Sequence, residues 1–435
     1  MPTYHLGLDD TDSLKMGCTT YIAALLIDRL HKESRFVDYP NLIRLNPNIP
    51  WKSRGNAAVC LRFESDCDAD ELLGMATEYA EKYRDREDPK NQPGIALCQA
   101  DTVPAELQTF GKKALSEVIP IDDALKVAKT NEVKYRTIRG GRGIVGALAA
   151  IGNTLEGDHT FELAVYRGKE LWGKMRQVDF GSVERYESEA GDETFNNIDP
   201  ESKRLLVTPH GPDPVLFGIR GESPASLLKA LEVVGFTGGE RWVMYRSNQG
   251  TDAHLSQKIK TGDLLPYMAA IVEGRICKEP VTIQGGHVIS RLADESGEID
   301  VAAYAPSSGF RVVLASLAPG DKVRAYGGVK LHNQDRLTLN LERLEILELV
   351  RIKGGNPECP ECGKRMKSEG KGKGYQCKRC GRRAQVGGVE AARRMCVGNY
   401  LPPPKAMRHL TKPLKRYGRE KTGWSGPVGV FYGAL

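Results

Sequence analysis

The sequence predicts a multidomain α+β protein, and three observations carry that expectation. Strand-like and helix-like segments alternate through the first 260 or so residues, a pattern that builds mixed layers. From about residue 265 the texture becomes strand after strand. Beyond residue 350, two Cys-x2-Cys pairs stand in a basic, glycine-rich stretch. A chain of 435 residues has room for two to four domains.

Taken in order, TYHLGL reads as an alternating strand, and TTYIAALLIDRLHKES has apolar residues at helical spacing, with Thr19 or Thr20 as its N-cap. YPNLIRLNPNIPWKSRGN is a loop rich in Pro, Asn and Gly; AAVCLRF after it is a buried strand, and ADELLGMATEYAEKYR an amphipathic helix. RTIRGGRGIVGALAAIG, residues 136 to 152, is a glycine-rich loop that runs into a helix of small residues. TFELAVYR, DPVLFGIRG and RWVMYRSNQG are strands, and SPASLLKALEVV is a helix that ends at Gly235; that order fits a ferredoxin-like sheet. The segments from AAIVEGRICKEPVTIQGG to RLTLNLERLEIL supply five short strands, which favour an OB-fold β-barrel over another small barrel. The expected divisions are 1–135, 136–262 (ferredoxin-like), 263–350 (OB-fold), 351–400 (zinc ribbon) and 401–435, a basic C-terminal tail.

The strongest motif is CPECGKRMKSEGKGKGYQCKRC. Cys359 and Cys362 form one Cys-x2-Cys knuckle, Cys377 and Cys380 the other, with fourteen residues between. Two such knuckles close a tetrahedron of thiolates around zinc, leaving no open position, so the site is structural. An iron–sulfur cluster is the rival occupant. The remaining six of ten cysteines show no paired spacing, which reads as a reducing cytoplasm and not a disulfide framework. Charge is lopsided: residues 351–435 hold 20 Lys/Arg against 5 Asp/Glu, and residues 1–350 hold 42 against 51. A basic module on an acidic body suits a polyanionic partner, above all nucleic acid.

GLDDTDSLKMGCTTY crowds Asp9, Asp10 and Asp12 at the end of the first strand. Carboxylates so close raise one another's pKa unless a cation sits among them, and magnesium carrying phosphates is the usual cation. An Asp-rich turn accounts for the same residues. No Walker motif occurs, so a P-loop NTPase is not supported. Arg44, Lys52 and Arg54 in the constrained loop offer positive charge for phosphates; Gly140, Gly141 and Gly143 precede a helix N-terminus that would favour an anion, or form a plain turn. His210 and Asp213 sit in TPHGPDPV between prolines, where a carboxylate could bind a cationic ligand or merely begin a strand; RSNQGTDAHL is polar and unperiodic, like a site loop.

Taken together, GLDDTDS with GCTTY, RLNPNIPWKSRGNAAV, HGPDPVLFGIRGES and ERWVMYRSNQGTDAHL, followed by OB-like strands and the paired Cys-x2-Cys, resemble the archaeal isoleucine-tRNA 2-agmatinylcytidine synthetase family, TiaS. The resemblance runs in order over nearly the whole chain. It implies a kinase-like first domain and a ligase that joins agmatine to C2 of the wobble cytidine in the CAU-anticodon isoleucine tRNA. It further implies phosphorylation of cytosine O2 and conversion of ATP to AMP and two phosphates. By position it implies that Asp9, Asp10 and Asp12 hold Mg2+ on ATP, and that Thr19 is phosphorylated by the protein itself. Nothing in the residues separates Thr19 from Thr20. Lys52 and Arg54 fall in a matching stretch as phosphate or transition-state cations, and Asp213 with His210 is expected to meet agmatine.

Two other classes compete: a non-catalytic, nucleotide-sensing OB and zinc-ribbon binder of nucleic acid, and a kinase whose basic end is incidental. The chain offers no apolar run long enough to span a bilayer and no signal-like start, so a cytoplasmic protein is expected.

Overall fold

A computed structural model describes residues 1–332, 336–352, 356–370, 372–384, 393, 395–424 and 426–435. The first strand, Thr3–Asp9, lies antiparallel between Ala57–Ser65 and Gly94–Gln99, with Leu6 opposite both Leu61 and Leu97. It is buried on both faces because helices cover both. Thr19–Leu30 and Ala69–Tyr83 pack Ile22, Leu26, Leu72 and Ala76 on one side. Ala105–Lys113, Ile121–Thr130 and Gly143–Gly152 pack Leu107, Ala124 and Leu148 on the other. The helix of small residues, grouped with the second domain on sequence grounds, thus lies beneath the first domain's strands.

The second half adds Thr160–Arg167, Val215–Gly221 and Gly239–Ser247 as antiparallel neighbours. One short parallel contact, Arg246 beside Asn41 and Ser247 beside Leu42, joins the halves into a single eleven-stranded sheet. Thr19 and Thr20 are the first residues of their helix, and Cys18 is the N-cap, without a capping side chain. The expected threonine cap does not form because both hydroxyls have other partners: Thr19 Oγ1 lies 2.9 Å from Thr11 Oγ1, and Thr20 Oγ1 lies 3.1 Å from Cys18 Sγ.

Residues Ala269–Thr282, Val288–Ala293, Glu298–Ala303, Lys322–Leu331 and Leu337–Glu348 form a barrel, closed by a parallel pairing of Asp300 with Thr338. Its first and last strands run 14 and 12 residues, longer than the short strands expected, since they continue through irregular registers to reach both neighbours. Val272, Leu292, Val301, Val323 and Leu344 fill it. A small three-stranded sheet, Lys367–Ser368, Tyr375–Gln376 and Arg383–Ala384, carries the cysteine knuckles. Of the ribbon expected over 351–400, residues 353–355, 371, 385–392 and 394 lie outside the described residues.

The last segment differs most from a basic tail. Gly398–Tyr400 pairs with the last barrel strand, Leu344 opposite Tyr400, and Tyr432–Ala434 pairs with Gly239–Ser247, Val243 opposite Tyr432. Between them the chain crosses the body as a strap. Arg416 is fully buried, its Nε 2.6 Å from Glu222 and its Nη2 2.8 Å from Asp158. Arg408 Nε lies 2.9 Å from Glu342, whose other oxygen meets His254 at 2.9 Å. Composition marks these cations as surplus, whereas the acidic body supplies their partners.

Candidate active site

A cavity of about 700 Å³ opens where the two halves of the sheet meet the strap. Asp9, Asp10 and Asp12 line it at the end of the first strand, together with Thr19, Arg44, Lys52, Arg54, Gly143, His210 and Asp213. Gly140 and Gly141 are not in the lining; Gly141, at φ +67°, turns the chain into the helix that begins at Gly143. The fold therefore brings to one place residues more than 200 positions apart.

The aspartates are held by backbone. Asp10 adopts φ +59°, and its carboxylate accepts the Gln92 N–H at 3.2 Å. Asn91 Nδ2 donates to the carbonyls of Asp10 and Asp12, at 3.1 and 3.2 Å. A side chain at Gly146, in the first turn of the Gly143–Gly152 helix, would overlap the Asp9 carboxylate, so glycine lets the carboxylate rest against the positive end of that helix. Burial and the neighbouring Asp10 push the Asp9 pKa well above the usual carboxylate range. Burial and Asp12 push Asp10 up to about 7. Burial raises Asp12 as well, against the pull of Arg54. Such crowding favours either protons or a hard cation; the three carboxylates do not all come within 4.8 Å of one another, so they would hold Mg2+ together with substrate phosphates and not as a closed cage.

Arg54 ties the motif to the second half. Its Nε donates to Ser13 O at 3.0 Å and lies 3.6 Å from Asp12, while its Nη1 lies 3.5 Å from Asp213. Asp213 is buried and faces Arg176 at 3.0 Å; Arg167 donates twice to its carbonyl, at 3.1 and 2.9 Å. Lys52 is exposed, and its Nζ donates to Arg54 O at 3.0 Å. His210 is exposed at the rim, where Arg204 Nη2 lies 3.3 Å from Nδ1. Thr19 is 5% exposed, its hydroxyl directed at Thr11 next to the aspartates.

Arg44 is positioned by the RSNQGTDAHL loop. Asn248 accepts its N–H at 2.8 Å and donates to its carbonyl at 2.9 Å; its own Nε donates to Gln249 at 3.1 Å. Several lining residues escape sequence reasoning. Glu162 stands mid-strand, flanked by Arg44 at 3.8 Å and Arg220 at 3.9 Å. Arg142 lies over the exposed Trp51 ring at 4.9 Å. Met407, Arg408 and His409 come from the strap. Of these, Arg142 alone belongs to a stretch with a signal of its own, the glycine-rich loop.

In the ribbon, the Sγ separations are 3.3 Å for Cys359–Cys380, 3.4 Å for Cys362–Cys377 and 3.7 Å for Cys362–Cys380. A tetrahedron with metal–sulfur bonds of about 2.3 Å has edges of about 3.8 Å, so four thiolates fit zinc. Among the described residues these four are the one set of three or more His, Cys, Asp or Glu ligand atoms within 4.8 Å of one another.

The chain is similar to known proteins over nearly its whole length. Residues 5–139 match the TiaS TCKD domain, 141–254 the TiaS FLD domain, and 356–393 the TiaS C-terminal zinc ribbon domain. The isoleucine-tRNA 2-agmatinylcytidine synthetase TiaS of Methanocaldococcus jannaschii is 38% identical over 94% of this chain and 98% of its own. That of Pyrococcus horikoshii is 41% identical over 94% and 96%. The structure superposes on that of a complex of TiaS with isoleucine tRNA and ATP with a TM-score of 0.85 at 38% identity, covering 96% of this chain and 98% of that one. A complex of TiaS with isoleucine tRNA, AMPCPP and agmatine gives 0.83 at 36% identity over the same shares.

Proposed function

The chain belongs to the TiaS family of isoleucine-tRNA 2-agmatinylcytidine synthetases, and from that membership we propose how its cavity divides the reaction. It is an ATP-dependent ligase that modifies an isoleucine tRNA with agmatine, and its ribbon carries Zn2+ on Cys359, Cys362, Cys377 and Cys380.

The observation that carries the finer reading is the convergence of three aspartates, a buried hydroxyl, Arg54 and Asp213 on one cavity. Asp9, Asp10 and Asp12 would hold Mg2+, which when bound neutralises the phosphates of ATP. Thr19 Oγ1 accepts a phosphoryl group, and Arg44, Lys52 and Arg54 face the phosphates. Gly143 presents a helix N-terminus to the same region, with Gly140 and Gly141 shaping its approach. Asp213 meets the guanidinium or amine of agmatine, and His210 stands at the entrance to that side.

In this reading the wobble cytidine enters the cavity flipped from its stack. Its O2 takes a phosphoryl group; the agmatine amine then forms the C2–N bond as the C2–O bond breaks. Phosphate leaves with that oxygen, and the amine proton is lost. The second phosphoryl group passes, by way of Thr19, to water, so that ATP ends as AMP and two phosphates. The chain divides into a kinase-like domain (1–135), a ferredoxin-like domain (136–262), an OB-fold (263–350), the ribbon (351–400) and the strap (401–435). Among the described residues no helix is long and apolar enough to cross a membrane, and we place the protein in the cytoplasm with its tRNA.

The test is incubation of the protein with labelled agmatine, ATP and Mg2+, with and without transcript of the CAU-anticodon isoleucine tRNA. Agmatine should enter that RNA alone and only with ATP. Binding of the tRNA without transfer would favour a nucleotide-sensing binder.

A further inference from the structure

In the proposed reaction Arg44 and Lys52 face phosphates, but two further groups lining the same cavity, Arg220 and His409, have no part in it. Arg44 and Arg220 both flank one oxygen of Glu162, at 3.8 and 3.9 Å, and Gln249 donates to that same oxygen. One carboxylate oxygen therefore stands between two guanidiniums without a close contact to either. Arg220 Nε is buried and has no hydrogen-bond partner.

The strap adds His409 to this wall. Its backbone is fixed, since its carbonyl accepts the Gly250 N–H at 2.8 Å. Its ring is exposed, but into the cavity it lines. No described group hydrogen-bonds to the ring nitrogens. A Cβ added at Gly55 would lie 2.7 Å from Arg44 Nη1 and 3.2 Å from His409 Nε2, so guanidinium and imidazole converge on one point beside that glycine. Lys52 stands in the same loop as Gly55 and also lines the cavity.

Three cations around one imidazole, with one carboxylate shared by Arg44 and Arg220, leave positive charge unbalanced along this wall of the cavity. That arrangement costs free energy unless an anion enters.

We propose that Arg44, Lys52, Arg220 and His409 form a phosphate subsite, separate from the aspartate motif and completed by the C-terminal strap.

It rests on the reading that this cavity handles phosphates, and it adds where one of them sits. None of the four residues forms an ion pair with Asp9, Asp10 or Asp12; the carboxylate beside Arg44 and Arg220 is Glu162. Arg44 foremost, then burial, Arg220 and Lys52, hold the free His409 imidazole well below its usual pKa, and so neutral at pH 7. Arg408 precedes it on the strap but is engaged with Glu342. A dianion placed among these groups reverses the balance and draws a proton onto the imidazole, which then donates to the anion. The subsite is thus a phosphate receptor that takes up a proton on binding. The phosphate in question is either one released from ATP or the diester of the tRNA backbone beside the flipped nucleotide.

The experiment is calorimetric titration of the full chain at pH 7 with inorganic phosphate, with the dinucleotide CpA, and with sulfate, which does not titrate near that pH. Tighter binding of phosphate assigns the site to the released product, and tighter binding of CpA assigns it to the backbone; either supports the subsite. Sulfate binding should take up a proton, read from the heat in buffers of different ionisation enthalpy, and the uptake should vanish in H409Q. Both H409Q and R220Q should weaken phosphate by about tenfold or more. Gly55→Ala changes no charge but pushes on two flexible side-chain ends, so it should fold and still weaken phosphate. Unchanged phosphate affinity in H409Q and Gly55→Ala overturns the subsite. A wild-type protein that transfers agmatine while failing this test leaves the proposed reaction standing; one that transfers none removes the reading beneath it.

Discussion

Arg54 stands between Asp12 and Asp213: its guanidinium lies 3.6 Å from the first carboxylate and 3.5 Å from the second. One side chain thereby links the aspartate motif to the wall proposed for agmatine. Neither contact is a close hydrogen bond, so each carboxylate keeps room for another partner. Asp213→Asn should therefore raise the KM for agmatine, by roughly 10- to 100-fold for a lost charged hydrogen bond of about 1.5–3 kcal/mol. The KM for ATP should move far less. Steady-state kinetics with each substrate varied in turn checks this, and a shift confined to ATP would move Asp213 to the phosphate side.

Asp10 makes a prediction about stability and pH. Its folded pKa of about 7 lies above the ordinary 3.8, so the folded chain binds its proton more tightly than the unfolded chain does. The stability from that proton is complete below about pH 4 and is lost as pH rises through 7. In EDTA, Asp10→Asn should melt higher than wild type at pH 8 and nearly together with it at pH 4. Added Mg2+ should raise the melting temperature of wild type at pH 8 and do little for the variant. Identical melting curves for the two proteins across this range would show that Asp10 carries no unfavourable charge.

Thr19 and Thr20 separate by their surroundings. Both line the cavity, but Thr19 is buried with its hydroxyl against Thr11, whereas Thr20 is half-buried and engages Cys18. Thr19→Ala should abolish incorporation of the terminal phosphate of ATP into the protein, with agmatine transfer falling to near background. Thr19→Ser should restore both. Phosphopeptide mapping distinguishes the outcomes, and a label on Thr20 would reassign the acceptor.

Zinc and RNA binding are tested together in the ribbon. Cys359→Ser should release the metal and unfold the small sheet. Truncation near residue 350 is a poor probe of RNA affinity, because it also removes the strap that lines the cavity. Deleting 353–393 and joining the flanks keeps the strap. That variant should bind tRNA more weakly at physiological salt, and the slope of log affinity against log salt should flatten by about one for each phosphate the ribbon neutralises. An unchanged slope would place the phosphate-binding cations on the barrel or the sheet.

The ribbon and the aspartate motif were legible because their chemistry is local: four thiolates at fixed spacing, three carboxylates in four positions. The strands and helices were legible from periodicity. Glu162 and His409 were not, because each is a single residue in a segment whose pattern speaks of something else; Arg220 lies in the quoted HGPDPVLFGIRGES but reads there as part of a strand, and only the sheet order brings the three together. The strap misled composition for a related reason. Its lysines and arginines look like a tail for RNA until Asp158, Glu222 and Glu342, scattered through the acidic body, are found opposite them. The threonine cap failed because a hydroxyl eight residues upstream outcompeted the helix end.

The strap also sets the order in which the enzyme is assembled and lost. Tyr39 and Gly429 meet through a hydrogen bond of 3.0 Å across 390 residues of sequence, and the three-residue strand Tyr432–Ala434 pairs with Gly239–Ser247 alone among the described strands, near the middle of the sheet. Contacts of such range close late in folding, since the ends must first be brought together. A short terminal strand held by one neighbour frays before the core beside it. On heating, catalytic competence and global structure therefore part company: the sheet and barrel persist while the cavity has already shed a wall.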